Sequence, residues 1–256
     1  MIKNKRVVLI TGAASGIGAA VTRRIASSEC NLVLHTRGKI DKRINELHKV
    51  ANEAVNKGSK VKLILGDFSE DNVAINVIKE AIDHYGKIDQ IVSNAGFADK
   101  RVFGDLQSED LENSQKSMAG AFFDLITAAI PSLKNSICGR IVAVSSFVSH
   151  KYVEDGLYPT TAAAKASLES LAKSLAIQLA HTGTTVNCVA PGYTHKDISA
   201  HSALTNKGWK NSAKKIPMGY LGKPDDHAAM IAFLLSNEAK YITGQVIHID
   251  GGLTLT

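Results

Sequence analysis

"RVVLITGAASGIGAAV", residues 6–21, decides the fold. Val7 to Ile10 make a short, continuously apolar run, as a strand does when both its faces are covered. Gly12, Gly16 and Gly18 then punctuate a turn, and a helical pattern opens near residue 17. Strand, glycine turn, helix is the order that cradles a pyrophosphate. Glycines let the backbone turn sharply and approach the anion, while the helix's free N–H groups and dipole favour negative charge. A glycine turn alone is a weak signal; this one has the strand before it and the helix after it. Gly12, Ser15, Gly16, Ile17 and Gly18 are the expected phosphate contacts.

The same alternation runs the length of the chain. Strand patterns occupy 6–11, 31–36, 60–66, 87–94, 139–146, 184–190 and 244–250. Helical patterns lie near 17–28, 41–57, 70–85, 108–134, 160–181 and 224–237. Such alternation specifies a parallel sheet with helices on both faces. Seven strands fit one doubly wound α/β unit, a single domain over residues 1–256. No repeat, low-complexity tract or linker interrupts it. One connection, residues 191–223, is too long for an ordinary loop and reads as a functional lid.

Composition narrows the classes. Hydrophobic residues at 45% and charged residues at 21% are ordinary for a globular domain large enough to bury a core unaided. Cys30, Cys138 and Cys188 are scattered, which argues against a zinc site or disulfide framework and fits a reducing, cytoplasmic setting. No metal is expected. The apolar run Val7–Ile10 is too short for a secretory signal, and "AAMIAFLL" (228–235) is too short to span a membrane. Aromatics at 5% leave no stacking platform for single-stranded nucleic acid. The net charge of +6 contains no block of five like charges and reads first as a solvated surface. Lys196, Lys207, Lys210, Lys214 and Lys215 nevertheless crowd the lid, where they would steer an anionic substrate or carrier.

In doubly wound sheets ligands sit beyond the carboxyl ends of the strands. That points to Thr11 onward, Thr36 and Arg37, Asp67, Asn94, Ser145 and Ser146, and Pro191 onward. A cofactor with a free ribose 2′-hydroxyl usually meets a carboxylate at the second strand's end. "LHTRG" (34–38) offers Arg37 and no carboxylate. A guanidinium matches a 2′-phosphate through charge and forked donors, so the expected cofactor is NADP(H). The plainer alternative is that Arg37 is a surface charge.

"TGAASGIG" (11–18), "SNAG" (93–96), "SS" (145–146), "AAAK" (162–165), "VAPG" (189–192) and "YITGQVIHIDGG" (241–252) follow one another in a familiar order and spacing. On these motifs the chain resembles the short-chain dehydrogenases/reductases over essentially its whole length, and most nearly their β-ketoacyl-acyl-carrier-protein reductases. The resemblance implies a Rossmann fold and a homo-oligomer, dimer or tetramer, with a hetero-oligomer as the alternative. It implies a small-molecule or acyl-thioester substrate, free or bound to a carrier protein. It places Asp67 and Phe68 at the adenine, Asn94, Ala95 and Gly96 along the cofactor's inner side, and Pro191, Gly192 and Thr194 in contact with the cofactor at the base of the lid. It also implies an active site of asparagine, serine, tyrosine and lysine. The serine carries over to Ser146 and the lysine to Lys165. The asparagine position falls on Ser117 and the tyrosine position on Thr161.

Those two departures bear on the chemistry. Hydride transfer to a ketone builds negative charge on oxygen, which needs a hydrogen-bond donor and then a proton. A phenol four residues before a lysine shares its helical face, and the ammonium draws the phenol's pKa down from about 10. Thr161 is shorter and far less acidic; it can donate a hydrogen bond or hold a water. A positioned acid is worth about 10²–10⁴-fold, or roughly 3–5 kcal/mol of barrier. Tyr158 lies seven residues before Lys165, displaced about 4.5 Å along a continuous helix from the usual position. Pro159 pushes it out of helical geometry and reads as the helix start, leaving Tyr158 in the approach loop. Tyr158 is the leading surrogate acid, ahead of Tyr152, His150 and His195, and packing at the pocket rim is its alternative role. Ser117 either organises a water or packs. Lys165 keeps its ribose contact with or without the phenol.

Three readings follow. The first is an NADP(H)-dependent oxidoreductase, an enzyme reducing a ketone or β-ketoacyl thioester with an altered proton supply. The second is a relative that binds nucleotide but acts as a structural or regulatory partner. The third is a dehydratase or isomerase that needs no hydride. The intact cradle, Arg37, Asn94–Gly96, Ser146 and Lys165 favour the first.

Overall fold

Seven strands run parallel in one sheet in the computed structural model, which describes residues 5–153, 156–195 and 211–256. They are β1 (Arg6–Thr11), β2 (Cys30–Thr36), β3 (Val61–Leu65), β4 (Gln90–Ser93), β5 (Arg140–Val144), β6 (Thr185–Pro191) and β7 (Val246–Ile249). Their order is β3-β2-β1-β4-β5-β6-β7. The chain winds outward from β1 to β3, returns to pair β4 with β1 (Ile10 against Val92), and winds outward again. That reversal opens a crevice beyond the carboxyl ends of β1 and β4.

The α-helices among the described residues are α1 (Gly16–Ile25), α2 (Asp41–Asn56), α3 (Val73–Tyr85), α4 (Ser108–Gln115), α5 (Ala121–Lys134), α6 (Pro159–Leu179) and α7 (Pro224–Leu234). Successive strand residues point to opposite faces, so each strand feeds two cores. Val7 and Leu9 pack with α3, α5 and α6; Val8 and Ile10 pack with α1, α2 and α7. Leu9 and Ile10 are fully buried, each contributing about 1.5–3 kcal/mol. This double burial is why the strands read as continuous apolar runs. None of the helices among the described residues is long and apolar enough to cross a membrane.

Three boundaries differ from the sequence expectation. The pattern at 108–134 is two helices joined by a π-helical turn, Lys116–Gly120. The first helix stops at Ile25 because Ala26 adopts extended geometry. β5 ends at Val144, which leaves Ser145 and Ser146 in the connection that follows. Within the lid, Thr194 bridges to Gly222, so its two ends meet. Lys196, Lys207 and Lys210 lie outside the described residues.

Candidate functional site

The glycine turn is shaped by close packing as well as backbone freedom. Gly12 sits at φ +66°, and a Cβ there would lie 2.8 Å from the Asn94 amide nitrogen. A Cβ on Gly18 would stand 2.4 Å from the Gly12 carbonyl oxygen. Gly16 has open space around it but a φ of +55°, so its requirement is conformational. Ser15 precedes α1 in extended geometry without capping it, and the first turn holds no acidic residue. The first amides of α1 are thus left for an anion.

Thr11 laces the two central strands together. Its hydroxyl oxygen accepts from the Asn94 and Ala95 backbone N–H groups, each at 2.9 Å. The Asn94 side chain donates back to the carbonyls of Thr11 (2.9 Å) and Gly12 (3.2 Å). Asn94, Ala95 and Gly96 are thereby fixed along the inner side of the crevice.

Beyond the carboxyl end of β2, Arg37 is exposed and makes no ion pair among the described residues. Lys39, two residues on, bonds Asp67 (2.7 Å) and Glu70 (3.3 Å). Burial alone would raise the Asp67 carboxyl, but Lys39 and the Ser69 amide hold it below its ordinary range. Phe68 stacks on His35, ring centroids 4.3 Å apart, and His35 Nε2 contacts the Gly66 carbonyl at 2.9 Å. Burial lowers His35 to about 4, so the imidazole behind Phe68 is neutral. Lys39 was not singled out by the sequence reading, although a second cation two residues after Arg37 was there to be seen.

The other end carries the surprises. Lys165 is buried, and its Nζ donates to the Val144 carbonyl at 2.6 Å. Burial lowers its pKa to about 8, opposed by Cys188 and Glu169. Gly96 gives it room, since a Cβ there would sit 3.2 Å from Nζ and 3.3 Å from the Met118 sulfur. Ser146, half-buried, begins a short 3₁₀ turn and accepts weakly from the Val148 amide (3.4 Å). Thr161 is 2% exposed, and its hydroxyl oxygen accepts from the Asp99 backbone N–H at 3.0 Å. Asp99 is in turn gripped by Arg101, which also bonds Asp110 at 2.7 Å.

Tyr158 precedes Pro159 at the start of α6, outside helical geometry, as the proline requires. It packs with Phe147, Val148, Ala162, Ile216, Leu221 and Leu253. Burial first, then the neighbouring Tyr193, push its phenol up to about 12. Ser117 sits in the π turn with its hydroxyl donating to Asn113 Oδ1 at 3.2 Å, while the next residue, Met118, faces Gly96. His150 contacts Glu169 (2.8 Å), Tyr152 is 71% exposed, and His195 is exposed. The structure therefore gathers Lys165, Gly96, Thr161 and the Val144–Ser146 corner, and leaves Ser117 turned aside.

At the base of the lid a Cβ on Gly192 would strike Asp250 Cα at 2.7 Å, and Pro191 pairs with Ile249. Thr194 Oγ1 donates to the Gly192 carbonyl (2.9 Å) and contacts His227 Nε2 (2.8 Å). His227 and Glu169, both buried, escaped the sequence reading. Glu169 had a signal, its i+4 spacing from Lys165; His227 meets Thr194 only through the fold.

Sheet order, glycine cradle and the lysine on α6 define a nucleotide-binding reductase architecture, and the chain belongs to the short-chain dehydrogenase/reductase family. Residues 12–254 match the family model described as Enoyl-(Acyl carrier protein) reductase. The chain is 32% identical over 255 residues to the 3-oxoacyl-[acyl-carrier-protein] reductase FabG of Thermotoga maritima, with 98% of each covered. A blue fluorescent protein from a metagenomic library, solved in complex with NADPH, superimposes with a TM-score of 0.88 at 27% identity, covering 97% of both chains. YwfH, an NADPH-dependent reductase of bacilysin biosynthesis, gives 0.85 at 28% identity, covering 97% of this chain and 98% of its own.

Proposed function

We propose that the chain is an NADP(H)-dependent reductase of a ketone or β-ketoacyl thioester, working with a rebuilt proton supply. The observation that carries this is the cationic corner: Arg37 exposed beside Lys39, on the lip of a cradle whose α1 amides are uncapped. Those groups fit a 2′-phosphate and a pyrophosphate. NADPH, when bound, supplies the hydride. Lys165 would hold the ribose hydroxyls of the bound dinucleotide, and Ser146 would donate to the substrate oxygen as charge develops there. With no phenol at position 161, the proton comes from solvent through a water that the Thr161 hydroxyl can hold, since Thr161 itself is far less acidic than a phenol.

A second reading, conjugate reduction of an enoyl thioester, draws on Tyr158 and on the family model's description. In that reaction the oxygen gaining charge lies three bonds from the carbon that takes the hydride, two more than in a ketone. Tyr158 stands seven residues before Lys165, where the usual phenol stands four, and its position ahead of the helix fits a donor to a more distant oxygen. A phenol pushed up to about 12 stays protonated, which suits a hydrogen-bond donor to an enolate.

The experiment follows NADPH oxidation with β-ketoacyl thioesters, diketones and enoyl thioesters, alongside NADPH fluorescence titration. Turnover of the keto substrates supports the first reading and turnover of the enoyl substrates alone the second. Binding without turnover assigns the chain a non-catalytic role in a larger assembly. We also propose self-association through α4–α6, where Phe123, 56% exposed, borders a groove of about 790 Å³ with Leu171. Light scattering of the purified chain checks it.

A further inference from the structure

Two consecutive residues at the end of β5 are held by two side chains one turn apart on α6. The Val144 carbonyl accepts from Lys165 (2.6 Å), and the Ser145 hydroxyl donates to Glu169 Oε1. The backbone stays extended through Ser146 (φ −163°, ψ 152°). Side chains alternate along such a segment, so pinning Ser145 toward α6 sends Ser146 the other way. The same Glu169 oxygen contacts His150 Nε2 at 2.8 Å, closing the Ser145–His150 loop from its far end. Ser149 completes it by donating to the Ser146 carbonyl (2.9 Å). The carboxylate is central, with serine and imidazole on either side, so this is not a nucleophile activated by a histidine.

We propose that Glu169 is a positioning residue for the reaction, orienting Ser146 through Ser145 and His150 and serving as the counter-charge for the Lys165 ammonium. The proposal rests on the reading that Ser146 and Lys165 serve a carbonyl substrate and a bound dinucleotide. Lys165 has few charged neighbours. Cys188 faces it from β6, with its thiol pushed up to about 12 by burial and hence neutral, and Glu169 faces it from its own helix. Gly96 and Met118, on the remaining side, carry no charge. His150 and Ser145 face Glu169, and Lys173 acts on Cys188.

The test compares Glu169→Gln, which keeps shape and an acceptor but removes charge, with wild type and with Ser145→Ala, which keeps the charge. In thermal melts across alkaline pH, Lys165 in the folded chain loses its proton near 8, below its ordinary 10.5. The unfolded chain therefore binds more protons between those values, and stability rises with pH. In Glu169→Gln that rise begins at lower pH, while Ser145→Ala tracks wild type. NADPH titrations should show the Gln variant weaker by about fivefold near pH 8, as an ammonium roughly ten times more acidic would give. Melts of Glu169→Gln that superimpose on wild type overturn the proposal, whether or not NADPH binds. A displacement of equal size in Ser145→Ala also overturns it, by showing that packing and not charge is responsible. Should the Gln variant not fold, Glu169→Asp, with its carboxylate drawn back, is expected to move the curve in the same direction, and a curve identical to wild type counts against the idea. Failure of wild type to bind NADPH removes the functional reading instead.

Discussion

The Thr161 hydroxyl takes the backbone N–H of Asp99 as its donor, 3.0 Å away, at the helical position where a phenol would stand. A side chain expected to serve the substrate thus anchors the connection after β4. Asp99 is braced on its other side by Arg101, and Arg101 by Asp110. The departure from the family pattern is a substitution with a structural partner of its own.

Thr161→Tyr consequently acts in two opposite ways. A phenol overfills a buried site and evicts Asp99, a loss of about 1–3 kcal/mol seen as a lower melting temperature. The same phenol four residues before Lys165 raises ketone reduction by at least about tenfold. An unchanged rate in NADPH-oxidation assays would show that the missing acid does not limit turnover.

Arg37→Ala is expected to weaken NADPH binding by about 10–100-fold, the worth of a charge-assisted hydrogen bond, and to leave NADH binding nearly unchanged. Lys39→Ala moves NADPH in the same direction by a smaller factor, because Lys39 first has to leave Asp67 and Glu70. Paired titrations decide it. Equal losses for both dinucleotides would remove the 2′-phosphate assignment.

Tyr158→Phe separates the two reductions. Enoyl turnover should fall about 10²-fold, the lower range for a lost donor, while keto turnover stays near wild type. The phenol's removal costs little packing, because its ring remains in the Phe147–Leu221 cluster. If neither rate changes, Tyr158 only packs.

Acid stability should decline in two stages. Burial holds His35 and His227 near 4, against an ordinary 6.5, so between those values the unfolded chain binds protons that the folded chain does not. Stability is lost as pH falls through that window, by roughly 3 kcal/mol for each imidazole. The depressed carboxylates, Asp67 and Asp250 among them, add losses only below their ordinary 3.8. Urea melts near pH 7 and pH 5 measure the first stage, and His227→Leu should halve it. Equal midpoints at both pH values would contradict the assignment.

Most of the fold was legible because burial on both faces leaves short apolar runs in the central strands, such as Val7–Ile10 and Ile141–Val144. All seven strands fell within a few residues of their positions, and Pro159 fixed the start of α6. The π turn at Lys116–Gly120 was not legible, since one extra residue per turn leaves an apolar helix pattern nearly unchanged. Within it Met118, and not Ser117, faces Gly96. The cradle could be read from local motifs. The Asp99–Thr161, Thr194–His227 and Ser145–Glu169 contacts could not, because each joins segments distant in sequence through the meeting of different elements.

The Lys39–Asp67 pair has a consequence for ionic strength. A phosphate that draws Lys39 away trades one ion pair for another, so salt should weaken dinucleotide binding less than two cations in the corner would imply. The trade also leaves a largely enclosed carboxylate with the Ser69 amide but without its cation, and a ligand bringing its own N–H donor, such as an adenine amino group, relieves it.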